Sequence, residues 1–160
     1  MGDMAMRRGE KEIEDREEIE EIIGRALVCR LGMVDEGRPY VVPLSFGYEG
    51  GCLYLHSASA GRKIEVLRRS PEVCFEMDVD CEVARAEQAC QWGMRFRSII
   101  GFGRVEFLED AAEKRKGLEV IMAHYAESGE RFSFADREVE RTVVIRVEIE
   151  NMSGKKSGYD

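Results

Sequence analysis

Long apolar runs are missing from this chain of 160 residues. No stretch approaches the roughly 20 consecutive apolar residues that cross a bilayer, and the charged start around residues 6–11 lacks the apolar centre of a secretion signal. Positive charge is also in deficit, because 24 Lys and Arg oppose 32 Asp and Glu and leave a formal net charge of -8. Nucleic acids and anionic membranes require a basic face, so we expect neither as a partner. These absences predict a soluble cytoplasmic protein.

Paired cysteines are missing as well. The five cysteines form an odd set without a Cys-x-x-Cys pair, which argues against a disulfide framework and against a thiolate zinc site. We therefore expect no metal centre. Three cysteines lie in apolar, strand-like runs and are interpreted as buried, reduced thiols. The other two, Cys81 and Cys90, lie in a less regular segment.

Hydrophobic residues make up 44% of the chain, which is enough for a real core. We expect one domain over residues 1–160, with its core at about 13–156. Helical spacing predicts helices near residues 15–26, 61–69 and 110–125. Strand-like runs cover residues 26–34, 39–48, 52–56, 73–79, 96–108 and 142–149. Six strands without regular βαβ alternation predict a mainly β protein, an antiparallel barrel with flanking helices.

The run at residues 39–48 has two unlike faces. By the two-residue period of a strand, one face carries bulky side chains and the other carries Val41, Pro43, Ser45 and Gly47. The small face admits either a flat ring system or a neighbouring backbone, and the pattern does not choose between them. Because Pro43 cannot donate to a ladder, it predicts a bulge or a sheet edge.

The run Tyr-Leu-His-Ser-Ala-Ser-Ala-Gly-Arg-Lys at residues 54–63 is the strongest local signal. A strand ends on His56, small residues turn the chain, and a helix begins beside Arg62 and Lys63. Free N–H groups of a first helical turn, the hydroxyls of Ser57 and Ser59, and two cations together form a receptor for a phosphate monoester. The other interpretations are an ordinary strand-end histidine and a solvated first turn. The run predicts a phosphorylated cofactor.

Several segments carry a family resemblance in a fixed order. They are Pro-Tyr-Val-Val-Pro-Leu-Ser-Phe-Gly-Tyr at 39–48, Leu-Tyr-Leu-His-Ser-Ala at 53–58, Gly-Arg-Lys at 61–63, Ser-Ile-Ile-Gly-Phe-Gly-Arg at 98–104 and Ser-Gly-Lys at 153–155. Over residues 7–156 the chain resembles the pyridoxamine-phosphate-oxidase-like split-barrel flavoproteins, within them the nitroimidazole-resistance (Nim) branch. The resemblance implies a six-stranded split β-barrel that forms a homodimer with flavin mononucleotide (FMN) at the subunit interface.

The resemblance also implies a set of site residues. Side chains at the strand-to-helix turn would hold the phosphate, backbone would border the ring, and further groups would approach from either subunit. These candidates are His56, Ser57, Arg62 and Lys63 for the phosphate, Val42, Pro43 and Leu44 for the ring, and Trp92, Arg97 and Ser98 as the further groups. His56 is also the candidate catalytic residue, in contact with substrate. Core packing remains the alternative for Trp92, and a plain strand hydroxyl remains the alternative for Ser98.

The function implied is an FMN-dependent oxidoreductase that passes electrons to a small aromatic or nitro-type acceptor, with a nicotinamide nucleotide as donor. Pyridoxamine phosphate oxidation ranks lower, because the C-terminal segment shows no substrate-phosphate cluster beyond Arg141 and Arg146. The alternative from another class is a non-catalytic module that stores or senses a flavin, a deazaflavin or a haem, with His56 as an axial ligand. The Ser-Gly-Lys-Lys-Ser run at 153–157 lacks the glycine spacing of a nucleotide-hydrolysing loop.

Overall fold

The computed structural model describes residues 9–159 and contains four helices, eight strands and two short 3₁₀ turns in that range. The strands are β1 (Glu12–Ile13), β2 (Cys29–Asp35), β3 (Arg38–Leu44), β4 (Phe46–Glu49), β5 (Cys52–Ser57), β6 (Glu72–Ala84), β7 (Gly93–Leu108) and β8 (Val143–Ser157). The helices are α1 (Arg16–Arg25), α2 (Arg62–Arg69), α3 (Ala111–Tyr125) and α4 (Asp136–Arg141). No helix in the described range is long and apolar enough to cross a bilayer.

All the strands form one antiparallel sheet in the order β3-β2-β6-β7-β8-β5-β4, and β1 pairs with β8 outside this path. The predicted mainly β, antiparallel split barrel is confirmed, but the number of strands is eight instead of six. One addition is the short β1. The other arises because the run predicted as a single strand over residues 39–48 divides at Ser45 into β3 and β4. The chain leaves one end of the sheet there and joins the other end.

Local signals placed most element boundaries. Asp15 caps α1 by accepting the N–H of Glu17, and Asp110 caps α3 by accepting two N–H groups. The β2–β3 hairpin turns through Glu36 and Gly37, both at positive φ, which matches the primed turns that such hairpins favour. Glu18, three residues after Asp15, accepts a hydrogen bond from Lys156 at 3.2 Å.

The last strand differs most from its prediction. It begins near the expected residue but continues to Ser157, because residues 151–157 pair with the first half of β7. The Ser-Gly-Lys-Lys-Ser run therefore lies in a strand and forms no phosphate-binding loop. The first predicted strand, residues 26–34, begins later, at Cys29. Helix α4 was missed because six residues are too few to show a helical period.

The core lies on the inner face of the curved sheet. Leu31, Phe75, Ile99 and Ile145 are fully buried there, and α1 and α2 contribute apolar side chains to the same cluster. The β7–β8 pairing shifts its register between Phe102 and Gly103, and the extra residue there is Glu150 of β8.

Helix α3 covers the outer face of the sheet at its other end. A Cβ at Gly117 would lie 2.8 Å from Val144 and 3.1 Å from Tyr54, and a Cβ at Gly47 would lie 2.6 Å from the carbonyl carbon of Val120. The small face of residues 39–48 therefore meets a neighbouring backbone at Gly47. These close approaches fix α3 on the strands β4, β5 and β8.

Candidate functional site

The loop between β5 and α2 presents uncapped backbone donors. Gly61 precedes the helix at φ 128° and ψ 164°, a conformation that glycine tolerates and other residues avoid. No side chain caps this end of the helix. The first N–H groups of any helix have no intrahelical acceptor, and here no side chain replaces it, so these groups remain available to an anion.

Lys63 adds an uncompensated positive charge at the same end of α2. Its side chain is half-buried, and burial lowers the pKa of the ammonium below its ordinary value of 10.5. Within residues 9–159 it makes no hydrogen bond and no ion pair. A desolvated cation without a counter-ion gains more from a bound anion than a solvated one does.

Arg62 is already partnered. Its Nε lies 2.9 Å from Asp35 Oδ2, and its guanidinium lies 4.4 Å from the ring centre of Tyr40. Asp35 also binds Arg69, at 2.8 Å. The carboxylate of Asp35 thus fixes the direction of Arg62 while leaving its two terminal nitrogens without this contact. No local signal in the sequence points to this pairing across 27 positions.

His56 and Ser57 lie next to each other at the end of β5, and their side chains point to opposite faces of the sheet. His56 pairs with Val144 and faces outward, where α3 and α4 cover the strands. There it lines a cavity of about 410 Å³, and no hydrogen bond in the described range uses its ring. The structure therefore separates the side chain of His56 from that of Ser57, while the backbone of both stays close.

The three residues expected to border a ring lie on β3, a terminal strand of the sheet. The side chains of Val42 and Leu44 pack against the core, whereas Pro43 is exposed. Only one side of β3 pairs with another strand, β2, so its other edge offers backbone N–H and C=O groups. The sheet edge predicted from Pro43 is confirmed.

The other three candidates lie at the far end of β7. Arg97 is 2.8 Å from Asp80 and stacks 4.2 Å above the ring centre of Tyr159. Ser98 lies beside it in a row with Asp78 and Lys155.

Trp92 lies just before β7 and is not a core residue, contrary to one of the two interpretations. It is 49% exposed, and its Nε1 donates to the carbonyl of Ala86 at 2.9 Å. This bond closes the loop between β6 and β7. The guanidinium of Arg85 lies over one face of the indole, 5.3 Å from the ring centre.

The pairing registers place the candidates on different rows of the sheet. The row that contains His56 meets β7 at Leu108, ten positions beyond Ser98. Ten positions correspond to about 33 Å of strand, at roughly 3.3 Å per residue. The row that contains Pro43 instead meets β7 at Ile100, two positions from Ser98.

Comparison with known proteins gives three informative matches. A crystal structure of a protein from Bacteroides thetaiotaomicron VPI-5482, provisionally assigned to 5-nitroimidazole antibiotic resistance, is 43% identical, with a TM-score of 0.81. The match covers 91% of this chain and 86% of that one. The flavocytochrome Anf3 of Azotobacter vinelandii is 26% identical, with a TM-score of 0.82, over 97% of this chain and 73% of that one.

A curated relative matches over a shorter range. The uncharacterised protein RA0666 of Rhizobium meliloti (strain 1021) is 28% identical over 93 residues, which are 58% of this chain and 54% of that protein. The chain therefore matches about half the length of this relative. The broader match is to a family profile, pyridoxamine 5'-phosphate oxidase, over residues 15–156. That range contains every strand from β2 onward almost completely, together with all ten candidate residues, and the chain belongs to the pyridoxamine 5'-phosphate oxidase family.

Proposed function

We propose that the chain is an FMN-binding oxidoreductase that reduces a small aromatic or nitro-type acceptor. The observation that carries the proposal is the start of α2, where uncapped N–H groups lie beside the partly desolvated ammonium of Lys63, which has no ion-pair partner among residues 9–159. Such a set of donors suits a phosphate monoester. The similarity to a protein provisionally assigned to nitroimidazole resistance supports a nitro-type acceptor, and the similarity to a flavocytochrome supports a flavin as the cofactor.

Two sets of donors, at the start of α2 and on the free edge of β3, would fit the two parts of FMN. Lys63, the terminal nitrogens of Arg62 and the hydroxyl of Ser57 would hold the phosphate, because all three positions flank the same turn. The free edge of β3 at residues 42–44 would accept and donate hydrogen bonds along the ring. Bound FMN would supply the redox chemistry, taking a hydride from a nicotinamide nucleotide and delivering it to the acceptor. The chain would supply binding, orientation and hydrogen bonds.

His56 has the separate role of touching the acceptor. Its ring has no protein partner in the described range, so one nitrogen is free to donate to an acceptor oxygen or nitrogen. Orientation by one such bond suits a reaction in which the cofactor carries the electrons. The same free ring supports the second candidate, a haem-binding module with His56 as an axial ligand, which the similarity to a flavocytochrome also favours.

A homodimer would complete the site. Trp92, Arg97 and Ser98 lie at least ten positions before Leu108, where the His56 row meets β7, and this placement favours a second copy as the source of these residues. The outer sheet face also carries an apolar row: Val41 and Phe102 lie on the same row as Gly32 and Cys74 and are 59% and 39% exposed. Twofold symmetry would bury this row against itself and create two equal sites.

The dimer has a direct test. Phe102→Glu places a charge in the exposed apolar row and should convert the protein to a monomer in sedimentation velocity, with loss of bound FMN. Leu27→Glu is the matched control, because Leu27 is 73% exposed and lies outside that row. A Phe102→Glu protein that stays dimeric and retains FMN would remove this face from the proposal.

The function is tested first by the absorbance spectrum of the freshly purified protein. We expect flavin bands at roughly 375 and 450 nm that bleach on addition of a nicotinamide nucleotide and return on addition of an acceptor. Denaturation should release a compound with the mass of FMN. A released FAD or deazaflavin would correct the cofactor, and a Soret band would replace the flavoprotein by the haem module. A stable, unreactive flavin would leave a storage or sensor module.

We also propose a cytoplasmic location. All five cysteines are free thiols in the structure, as expected of a protein kept in a reducing compartment.

A further inference from the structure

A cavity lies on the outer face of β5, under α3 and α4. Its volume is about 410 Å³. Apolar side chains form most of its wall, and they are Leu118, Ile121, Met122, Phe134 and Val139. Polar groups complete the lining, and they are His56, Glu138, Arg141 and Thr142. This size falls in the range of roughly 300–1,000 Å³ that small-molecule sites occupy.

Specific contacts fix the positions of the two walls of the cavity relative to each other. Lys114 of α3 is only 9% exposed and donates from Nζ to the carbonyl of Glu140 at 3.1 Å, near the end of α4. Arg115 donates to the carbonyl of Phe134 at 2.7 Å and also pairs with Asp136. These bonds attach α4 and the segment before it to α3, so the cavity is a fixed part of the fold.

The charges of the lining cancel. Glu138 and Arg141 contribute one charge of each sign, and in the described range neither side chain has an ion-pair partner. The hydroxyl of Thr142 is occupied by the carbonyl of Glu138, at 2.8 Å. His56 is therefore the polar side chain of the lining whose hydrogen-bonding atoms are left to meet a ligand. An ion of either sign would find one attractive and one repulsive neighbour, whereas an uncharged ring gains from burial against the apolar wall.

We infer that this cavity is the acceptor site, and that it takes an uncharged, mainly apolar ring with one hydrogen-bonding group directed at His56. Helix α3 supplies one wall through Ile121 and Met122, and α4 supplies the facing wall through Val139. The identity of the ligand as an electron acceptor rests on the proposed function. The binding itself depends only on residues of this chain and needs no flavin.

Three probes of similar size test the charge selection: indole, indole-3-acetate and tryptamine. Isothermal titration of the full chain, once flavin-free and once loaded with FMN, should show that indole binds in both forms. We expect indole to bind at least about tenfold more tightly than either ion, a difference of about 1.4 kcal/mol. Equal binding of all three probes, or tighter binding of an ion, would overturn the inference. Absence of FMN binding with retained indole binding would refute the cofactor proposal and leave the cavity intact.

A cavity-filling variant locates the bound probe. Met122→Trp should abolish indole binding at an unchanged melting temperature, because Met122 lines the cavity and is 39% exposed. Met94→Trp is the matched control, since Met94 is 49% exposed on β7 and does not line this cavity. The methyl resonance of Met122 should also shift when indole is added to the unmodified chain, and that of Met94 should not. This second measurement decides the question if Met122→Trp misfolds, and an unmoved Met122 methyl contradicts the inference.

Charge variants give the converse test. Removing one charge should admit the ion that it repelled, so Glu138→Gln should strengthen indole-3-acetate binding and Arg141→Gln should strengthen tryptamine binding. We expect each gain to be about fivefold or more, because one opposing charge at the rim has been removed. Indole binding should change by less than about twofold in both variants. Unchanged affinities for indole-3-acetate and tryptamine in these variants would show that the two charges do not face the ligand.

Discussion

Replacing Lys63 by Met should have opposite effects on the flavin-free protein and on cofactor binding. The side chain is half-buried and has no ion-pair partner within residues 9–159, and burial lowers the pKa of its ammonium. The folded, flavin-free chain therefore bears a desolvation cost that Met does not have. We expect Lys63→Met to unfold at the same temperature as the unmodified protein or slightly higher, and to bind FMN more weakly.

The loss of affinity follows from the bond removed. A hydrogen bond to a charged group contributes about 1.5–3 kcal/mol. The side chain of Lys63 remains partly accessible to water, so screening favours the lower part of that range. A loss of about 1.5–2 kcal/mol corresponds to a Kd that rises about 10- to 30-fold. Backbone N–H groups at the start of α2 are untouched and should prevent complete loss.

The pH dependence has a defined sign. Because the folded-state pKa of Lys63 is lowered from 10.5, the unfolded chain binds the proton more tightly than the folded chain does. The stability of the flavin-free protein should therefore rise as pH increases from the lowered pKa towards 10.5. Lys63→Met should lose this part of the alkaline rise. Bound FMN should oppose it, because the phosphate favours the ammonium form.

Quenching of FMN fluorescence measures the Kd, and thermal unfolding of the flavin-free protein measures stability. Arg68→Met is the matched control, since it removes the same charge from the last turn of α2, where the guanidinium lies 4.6 Å from the ring centre of Phe107. The control should leave the Kd within about twofold. Unchanged FMN affinity in Lys63→Met, or equal losses in both variants, would refute the assigned phosphate site.

Gly47→Ala should destabilise the protein by about 1–3 kcal/mol in urea unfolding, because the new Cβ would meet the backbone of α3. Gly24→Ala is the control: its Cβ meets nothing within 4 Å, so it should stabilise α1 by up to about 1 kcal/mol. A neutral result at Gly47 would show that α3 moves freely. Cys81 should be alkylated slowly despite its exposure, because Asp78 Oδ2 accepts from its thiol at 2.9 Å and raises its pKa to about 11. Asp78→Asn should speed this alkylation about tenfold or more, which mass spectrometry of peptides would measure. An unchanged rate would show that Asp78 does not control the reactivity of the Cys81 thiol.

Local patterns were sufficient for the parts of the fold that depend on neighbours in sequence. Asp15 and Asp110 cap helices through N–H groups two or three residues ahead, so their positions alone predict where α1 and α3 begin. The turn at Gly37 and the edge position of Pro43 follow equally from backbone chemistry that each residue carries with it.

The break at Ser45 escaped the sequence because the two-residue period continues through it. Tyr40, Val42 and Leu44 point inward as predicted, and so does Phe46 after the break. Periodicity reports which face is buried, but it does not report which strand pairs with the segment. Strand β2 precedes the segment in the chain and pairs with its first half, β3. Strand β5 follows the segment and pairs with its second half, β4.

The functional residues divide in the same way. The residue types and spacing from His56 to Lys63 were enough to predict an anion-binding turn, because a glycine before a helix and a cation in its first turn have a chemistry independent of the rest of the chain. Tertiary packing then determined that Asp35 occupies one side of Arg62, and that Lys63 is partly desolvated with no partner in the part of the chain that the structure describes. It also directed His56 away from Ser57, into a cavity whose α4 wall lies some 80 positions later in the sequence. Burial and long-range charge pairing depend on contacts between elements that are distant in sequence. These contacts form only when the sheet closes, so no local pattern predicts them.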